Sequence, residues 1–261
     1  MIATFALVMI SACETTRETT TANIGGKATK IASDDFDKKK AASIRVNNGL
    51  TYLNHNNYER AKYHLDHALQ YDPNSGNVHY ALGIYYQRVS SFDKSQAHFD
   101  KALAAEPQNP LFLNAYGAFL CDKGQYQAAD KAFNQAIAIP TYSDVAFSFY
   151  NVGFCALKQK DTEKAENFFR EALKRNRYMG DALIEMAKLE FNKKRYARTA
   201  SYITRFEKSA RMTAESAWLG LRAAHFVKDK DAVGRYGLIL EHRFPDSDET
   251  ASYLDEKKRW M

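Results

Sequence analysis

Hydrophobic and small residues recur along this chain with a fixed period, and the pattern predicts a series of helical hairpins. The first unit contains Gly49, Tyr52, Tyr58, Ala61, Leu65, Ala68 and Pro73. The same spacing returns thirty-four residues later from Gly83, again from Gly117, and after two extra residues from Gly153. A period of this length is typical of repeat proteins, in which each unit buries its apolar face against the next. Each unit predicts a helix A, a short turn, a helix B and a second turn near a proline, which cannot continue a helix.

The first four hairpins can be placed along the chain from this pattern. It predicts A helices at 36–54, 76–89, 110–123 and 145–159, and B helices at 58–71, 92–105, 126–139 and 162–175. Asp34, Asp35 and Asp37 favour a helix N-terminus at the start of the first A helix. The segment 140–144 predicts a longer turn between the third and fourth hairpins.

The pattern weakens beyond residue 176 but keeps its register. A fifth unit is predicted at Ala187, Tyr196, Thr199 and Ile203, and a sixth at Leu221, Val233 and Pro245, with the thirty-four-residue spacing retained. Residues 247–261 predict a final helix with Ser247 or Asp248 as its N-cap. A repeat array needs an atypical end with a polar outer face, so this helix is interpreted as a cap.

The repeated glycine inside each A helix needs a structural reason, because glycine there costs about 1 kcal/mol relative to alanine. We expect close approach of helix B to offset this cost. The residues expected opposite the glycines are Ala61, Ser95, Ala129 and Ala165. The larger residues four positions later, Leu65, Phe99, Phe133 and Phe169, are expected to fill the space beside that contact.

These offsets resemble the tetratricopeptide repeat over four consecutive units. The resemblance implies an all-α fold over residues 36–261: a right-handed superhelical solenoid of about six repeats with a C-terminal capping helix. No run of alternating β-branched residues is long enough to predict a strand.

The N-terminus predicts a lipoprotein signal. Residues 1–12 carry no charged side chain, and Ile10 to Cys13 resembles a bacterial lipobox, in which the cysteine is acylated. The alternative is a fragment of a buried helix. No Lys or Arg precedes the apolar run. Glu14 stands where Asp would retain a lipoprotein in the inner membrane, so the resemblance implies the outer membrane. Residues 13–35 are rich in Thr, Ser and Gly and predict a flexible tether.

Composition and motifs argue for binding rather than catalysis. The net charge of +6 over 261 residues is too mild for a nucleic-acid footprint. The sequence contains no phosphate-binding loop, dinucleotide-binding motif, zinc-protease motif or nucleophile elbow. We therefore expect no enzyme activity, no cofactor and no small-molecule substrate. His64, His67 and His98 come nearest to a metal cluster, but the interpretation as outer-face histidines is favoured and no metal site is predicted.

Cys121 and Cys155 lie thirty-four residues apart, near the ends of neighbouring A helices. If the chain is periplasmic, a disulfide between them is permitted. It would stabilise the fold by about 3–4 kcal/mol in the chain-entropy model. The alternative is a pair of buried free thiols.

The concave wall of a tetratricopeptide array is lined by positions 2, 5, 9 and 12 of its A helices. Here those positions hold Val46, Leu50, Leu53, Tyr80, Ile84, Leu111, Asn114, Ala118, Phe147, Tyr150, Phe154 and Leu157. Such an apolar surface predicts a groove for an amphipathic helix or an extended peptide. The alternative is that several of these residues belong to the core.

Four features together resemble the PilF/PilW lipoproteins of type IV pilus biogenesis: the lipobox cysteine, the string from Asn114 to Cys121, the Pro140–Tyr142 insertion and the string from Asn151 to Cys155. The resemblance implies a lipid-anchored protein on the periplasmic face of the outer membrane. It would bind secretin subunits and promote their localisation and multimerisation. We expect the N-terminal repeats to contribute most, because the tether leaves from that end of the array. A different adaptor of the same architecture, one that scaffolds cell-wall enzymes, is the alternative.

Overall fold

The predicted hairpins form a continuous stack of helices. The computed structural model describes residues 28–260, and within that range the chain forms thirteen helices and no strand. The A helices are α1 (Ala28–Asn54), α3 (Gly76–Arg88), α5 (Pro110–Asp122), α7 (Val145–Lys158), α9 (Gly180–Asn192) and α11 (Ala214–Phe226). The B helices are α2 (Tyr58–Tyr71), α4 (Phe92–Ala105), α6 (Tyr126–Ile137), α8 (Thr162–Arg175), α10 (Tyr196–Glu207) and α12 (Lys230–Arg243). Helix α13 (Asp248–Trp260) follows them.

Each A helix packs most extensively on the B helix that follows it, and then on the next hairpin. The all-α solenoid of six helical hairpins with a terminal helix is therefore confirmed, and the sixth hairpin is complete. Helix α13 packs on α11 and α12, and the Ser247 hydroxyl accepts a hydrogen bond from the Thr250 backbone N–H at 3.2 Å. Ser247 is thus the N-cap of the capping helix, as predicted.

The glycines make room for the large residue of helix B. A Cβ atom on Gly117 would lie 2.7 Å from the Phe133 ring, and one on Gly153 would lie 2.7 Å from the Phe169 ring. The small B-helix residue also lies close to the glycine, as expected: a Cβ atom on Gly153 would lie 3.1 Å from the Ala165 carbonyl oxygen. The nearest atoms, however, belong to the large residue four positions later. The small residue supports the contact from beside it: the Ser95 hydroxyl donates a hydrogen bond to the Gly83 carbonyl at 2.8 Å.

In the fifth and sixth hairpins, different residue pairs form the contact between helix A and helix B. In the fifth, Ala187 replaces the glycine and the smaller Ile203 replaces the aromatic residue, and both are fully buried. In the sixth, Gly220 faces Tyr236, one residue before the positions that a strict thirty-four-residue spacing gives. The sixth-unit register predicted at Leu221 is therefore wrong for this contact. Because of this shift, Gly237 faces Tyr253, so the capping helix packs on α12 through the same type of glycine–aromatic contact.

Helix α1 begins at Ala28, eight residues before the predicted boundary between tether and repeat domain at 35/36. Asp34, Asp35 and Asp37 therefore lie inside the helix and do not mark its start. This segment contains Ala, Lys and Ile, which are compatible with a helix, so its polar composition alone did not locate the start of α1. The predicted signal peptide, Cys13 and the tether up to residue 27 lie outside the described residues.

Candidate functional site

The A helices from α3 to α11 lie side by side and form one surface, here called the inner wall. Polar contacts join neighbouring members. Asn151 Nδ2 on α7 donates to Asn114 Oδ1 on α5 at 3.1 Å, and Gln87 Nε2 on α3 donates to Asp122 Oδ2 on α5 at 2.6 Å. Asp122 also forms an ion pair with Lys158 of α7. These contacts fix the relative positions of three successive A helices.

A disulfide ties α5 to α7. The sulfur atoms of Cys121 and Cys155 are 2.13 Å apart, their Cα atoms are 5.9 Å apart, and both residues are buried. The bond links the third repeat to the fourth across the longer turn. In that turn, the ring of Tyr142 is buried against Leu113 and Ala136, which packs the insertion onto the third repeat. The middle of the inner wall is therefore held both covalently and by packing.

Three exposed apolar side chains lie on the same two helices. Leu111 is 40% exposed, Phe147 is 47% exposed and Phe154 is 40% exposed. The half-buried ring of Tyr150 stacks on Phe154 with centroids 6.0 Å apart. We call Leu111, Phe147, Tyr150 and Phe154 the apolar patch. Exposed apolar groups held on rigid helices are typical of protein-binding surfaces.

Two residues assigned to the groove belong to the core instead. Val46 is 6% exposed and Leu53 is 2% exposed, and both pack in a cluster with Leu65 and Leu82. They cannot contact a partner without local unfolding. The reason is that the first hairpin closes tightly on α3, which covers these positions of α1.

The other assigned groove residues, apart from Asn114, are at least partly accessible. Leu50 and Ile84 are half-buried beside the core, and Asn114 is buried with its amide bonded to Asn151. The Tyr80 ring stacks on Phe112 at 5.1 Å, and burial raises the pKa of its phenol to about 12. Ala118 and Leu157 are also half-buried. Of the assigned groove residues, the clearly exposed ones are Leu111, Phe147 and Phe154, which lie on the third and fourth repeats.

A charged flank of the wall, not among the predicted groove residues, lies in the fifth repeat. Asp181, Glu185 and Lys188 lie on α9, and Lys188 Nζ contacts Glu185 at 3.0 Å and Glu215 of α11 at 2.8 Å. Applying the same repeat positions to the fifth unit would have found Asp181 and Lys188, since they follow Phe147 and Phe154 by thirty-four residues. We call Asp181, Glu185 and Glu215 the acidic flank.

The three histidines considered as a metal cluster do not come together. His64 bonds to Arg45 at 3.1 Å and His67 to the Tyr63 carbonyl at 2.7 Å, while His98 Nδ1 lies 2.9 Å from His79 Nδ1. Within the described part of the chain, no group of three or more His, Cys, Asp or Glu side chains is arranged to hold a metal ion. None of the helices in residues 28–260 combines the length and apolarity needed to cross a bilayer.

The His79–His98 pair has a defined tautomer. His79 Nε2 lies 3.0 Å from the Pro73 carbonyl, so it donates there and its Nδ1 accepts from His98. Burial, followed by the charge of His79, lowers the pKa of His98 to about 4. Burial lowers the pKa of His79 as well, so both rings are neutral near pH 7 and serve the packing of α3 on α4.

Comparison with known proteins agrees with this architecture. The family model for the tetratricopeptide repeat matches residues 110–177, and one described as YpiA-like, C-terminal tetratricopeptide repeats matches residues 77–140. The type IV pilus assembly protein PilF of Pseudomonas aeruginosa is 31% identical over 223 residues, which cover 85% of this chain and 88% of that protein.

Two solved structures superpose on most of this chain. The structure of P. aeruginosa PilF has a TM-score of 0.70 and 30% identity, and the match covers 84% of this chain and 99% of that one. PilW, described as a widely conserved type IV pilus biogenesis factor, has a TM-score of 0.67 and 25% identity, covering 82% of this chain and 98% of that one. From its repeats, its fold and this identity, the chain belongs to the PilF/PilW family of tetratricopeptide-repeat proteins.

Proposed function

We propose that this protein binds secretin subunits and promotes their outer-membrane localisation and multimerisation during type IV pilus assembly. Membership of the PilF/PilW family supports a role in type IV pilus biogenesis, because the relatives that align over most of the chain are a pilus assembly protein and a pilus biogenesis factor. The secretin is the partner that the lipobox, the repeats and the paired cysteines together suggest.

The observation that supports the proposal is the apolar patch, which lies on helices held together by a disulfide and a hydrogen bond. Phe147 and Phe154 project from α7, which the disulfide and the Asn114–Asn151 bond fix against α5. A rigid apolar surface loses little conformational entropy when a partner binds, so more of its contact energy appears as affinity. The arrangement suits capture of a protein segment. The proposed activity is binding, without catalysis, cofactor, nucleic acid or small-molecule substrate.

The lipid anchor is the second part of the proposal. Acylation at Cys13 would hold the protein on the periplasmic face of the outer membrane, and the residues before α1 would link the anchor to the repeats. Anchoring confines the search for secretin subunits to the membrane surface, while the inner wall supplies recognition. Stable anchoring needs more than one acyl chain, and lipoprotein modification supplies more than one.

Deletion of the gene tests the function. Heat-resistant secretin multimers in outer-membrane fractions should fall sharply and should return when the wild-type gene is restored. Undiminished multimers in the deletion strain would reject the proposal and favour an adaptor for other envelope proteins.

A Cys13→Ala variant tests the anchor separately from binding. Both the protein and the secretin should leave the outer-membrane fraction, while the purified variant should still bind the secretin. Unchanged fractionation of the variant would reject the proposed lipid anchor but would not contradict the proposed binding of the secretin.

A further inference from the structure

The acidic flank borders the apolar patch directly. Leu111, Phe147 and Asp181 occupy the same repeat position on α5, α7 and α9. Along these three positions the side chain changes from apolar on α5 and α7 to acidic on α9. Tyr150 links the two regions: burial and then the charges of Asp181 and Glu185 raise the pKa of its phenol.

The charges of the flank do not cancel. Lys188 is shared between Glu185 and Glu215, so one positive charge meets two carboxylates. Asp181 is exposed and forms no ion pair with any residue in the part of the chain that the structure describes. Arg177, which precedes α9, lies with its guanidinium 4.9 Å from the Tyr178 ring centroid. The flank therefore carries an excess of two negative charges, counted from three carboxylates and one ammonium group.

The acidity is local to this end of the wall. The chain as a whole carries a net charge of +6. At another edge of the patch, Lys158 lies 5.5 Å from the Phe154 ring centroid and is balanced by its ion pair with Asp122. The apolar patch thus has a charge-balanced pair on one side and uncompensated carboxylates on the other, which gives a bound segment a preferred direction.

We infer that the secretin segment held by the inner wall carries apolar side chains for the apolar patch and, beside them, a lysine or arginine for the acidic flank. This inference rests on the proposed function. The aliphatic stem of a lysine or arginine can pack along Phe147 while its charged end reaches Asp181. An acidic residue at that place would face the carboxylates, and like-charge contacts disfavour wrong partners and registers.

Charge reversal at Asp181 tests the inference, and the chain supplies a matched control. Asp181 is the second residue of α9, and Asp93 is the second residue of α4, a B helix; both are exposed. Asp181→Lys and Asp93→Lys therefore disturb a helix N-terminus equally, but only the first changes the wall. The full chain of each variant is applied to an array of overlapping fifteen-residue peptides that span the secretin subunit of the same bacterium.

The wild type and Asp93→Lys should bind the same peptides, each with a Lys or Arg next to apolar residues. Asp181→Lys should bind those peptides about tenfold more weakly at low salt, with the difference shrinking as salt is added. Exchanging the peptide's basic residue for Glu should restore binding to Asp181→Lys.

Three results would overturn the inference. If Asp181→Lys binds as the wild type does, or if the bound peptides lack basic residues, the inference fails and the proposed function stands. If the wild type captures neither a peptide nor the intact secretin, the proposed function fails and the inference fails with it.

Discussion

The fourth and fifth repeats are built on the same hairpin but differ in packing and in surface. In the fourth, Gly153 admits the Phe169 ring, a disulfide braces α7, and the wall is apolar. In the fifth, Ala187 and Ile203 are buried at the positions of the glycine and the aromatic residue, and the wall carries the acidic flank. The described part of the chain contains no second disulfide. The difference indicates that the disulfide cross-link accompanies the apolar surface. A rigid site there increases the affinity for a partner, because less conformational entropy is lost on binding.

Removing the large buried residue should have the largest effect, and a larger one in the fourth repeat than in the fifth. Phe169→Ala should lower the free energy of unfolding by about 3–5 kcal/mol, because it leaves a cavity beside Gly153. Ile203→Ala removes fewer atoms and should cost about 2–4 kcal/mol. Urea unfolding followed by circular dichroism measures both. A loss at Ile203 that exceeds the loss at Phe169 would contradict the comparison.

Loss of the disulfide comes next. The bond closes a loop across a sequence separation of 34, so Cys121→Ala/Cys155→Ala should lower the free energy of unfolding by about 3–4 kcal/mol. The same unfolding experiment on the wild type with and without reductant gives an independent value. A double variant as stable as the oxidised wild type would show that packing alone holds α5 against α7.

Exchanging the packing pairs between the repeats tests the glycine argument. Gly153→Ala places a Cβ 2.7 Å from the Phe169 ring and should cost about 1–3 kcal/mol through overpacking. Adding Phe169→Ile recreates the pair of the fifth repeat and should recover part of that loss. If the second substitution adds its full cavity cost to the first, the two residues do not form a coupled pair.

The smallest predicted effect is a pH dependence located in the second repeat. In the unfolded chain His98 titrates near pH 6.5, but burial and the neighbouring His79 hold its folded pKa at about 4. The unfolded state therefore binds more protons between these values, and stability present above pH 6.5 is lost as pH falls toward 4. Lys101 and Lys62 also disfavour the charged ring.

Urea unfolding between pH 7 and pH 5 measures this loss. The decline should be smaller in a His98→Gln variant and unchanged in His67→Gln, a half-buried histidine outside the pair. Equal pH dependence in both variants would assign the effect to other groups.

Periodicity predicted the fold because every unit repeats the same buried contact. The bounds of α2 and α8 agree with the predicted 58–71 and 162–175. The prediction of the sixth-unit register was wrong where it depended on a single residue. Leu221 stands at the expected spacing, but its neighbour Gly220 makes the contact with Tyr236. Spacing could not reveal this, because a one-residue rotation of the hairpin preserves the helix ends.

The inner wall was less predictable than the fold. Repeat position does not determine how tightly the neighbouring hairpin covers a residue, so Val46 was assigned to a groove although it is buried, whereas Phe147 is exposed. The predicted wall residues all lie on the first four A helices, so they do not include the acidic flank on α9 and α11. Part of this flank could be recognised only from the structure, because Glu215 of α11 joins it through an ion pair with Lys188 of α9.

The most direct test of the account is the affinity of the purified full chain for secretin subunits when the apolar patch is made polar. Phe147→Ser/Phe154→Ser should bind at least about tenfold more weakly, because both rings are surface contacts, while its circular dichroism and unfolding midpoint stay close to those of the wild type. Leu238→Ser on α12, where Leu238 is 57% exposed, is the control for loss of exposed apolar surface and should bind normally. If the patch variant and the control both bind the secretin as tightly as the wild type, the inner wall of α5 and α7 is not the binding site.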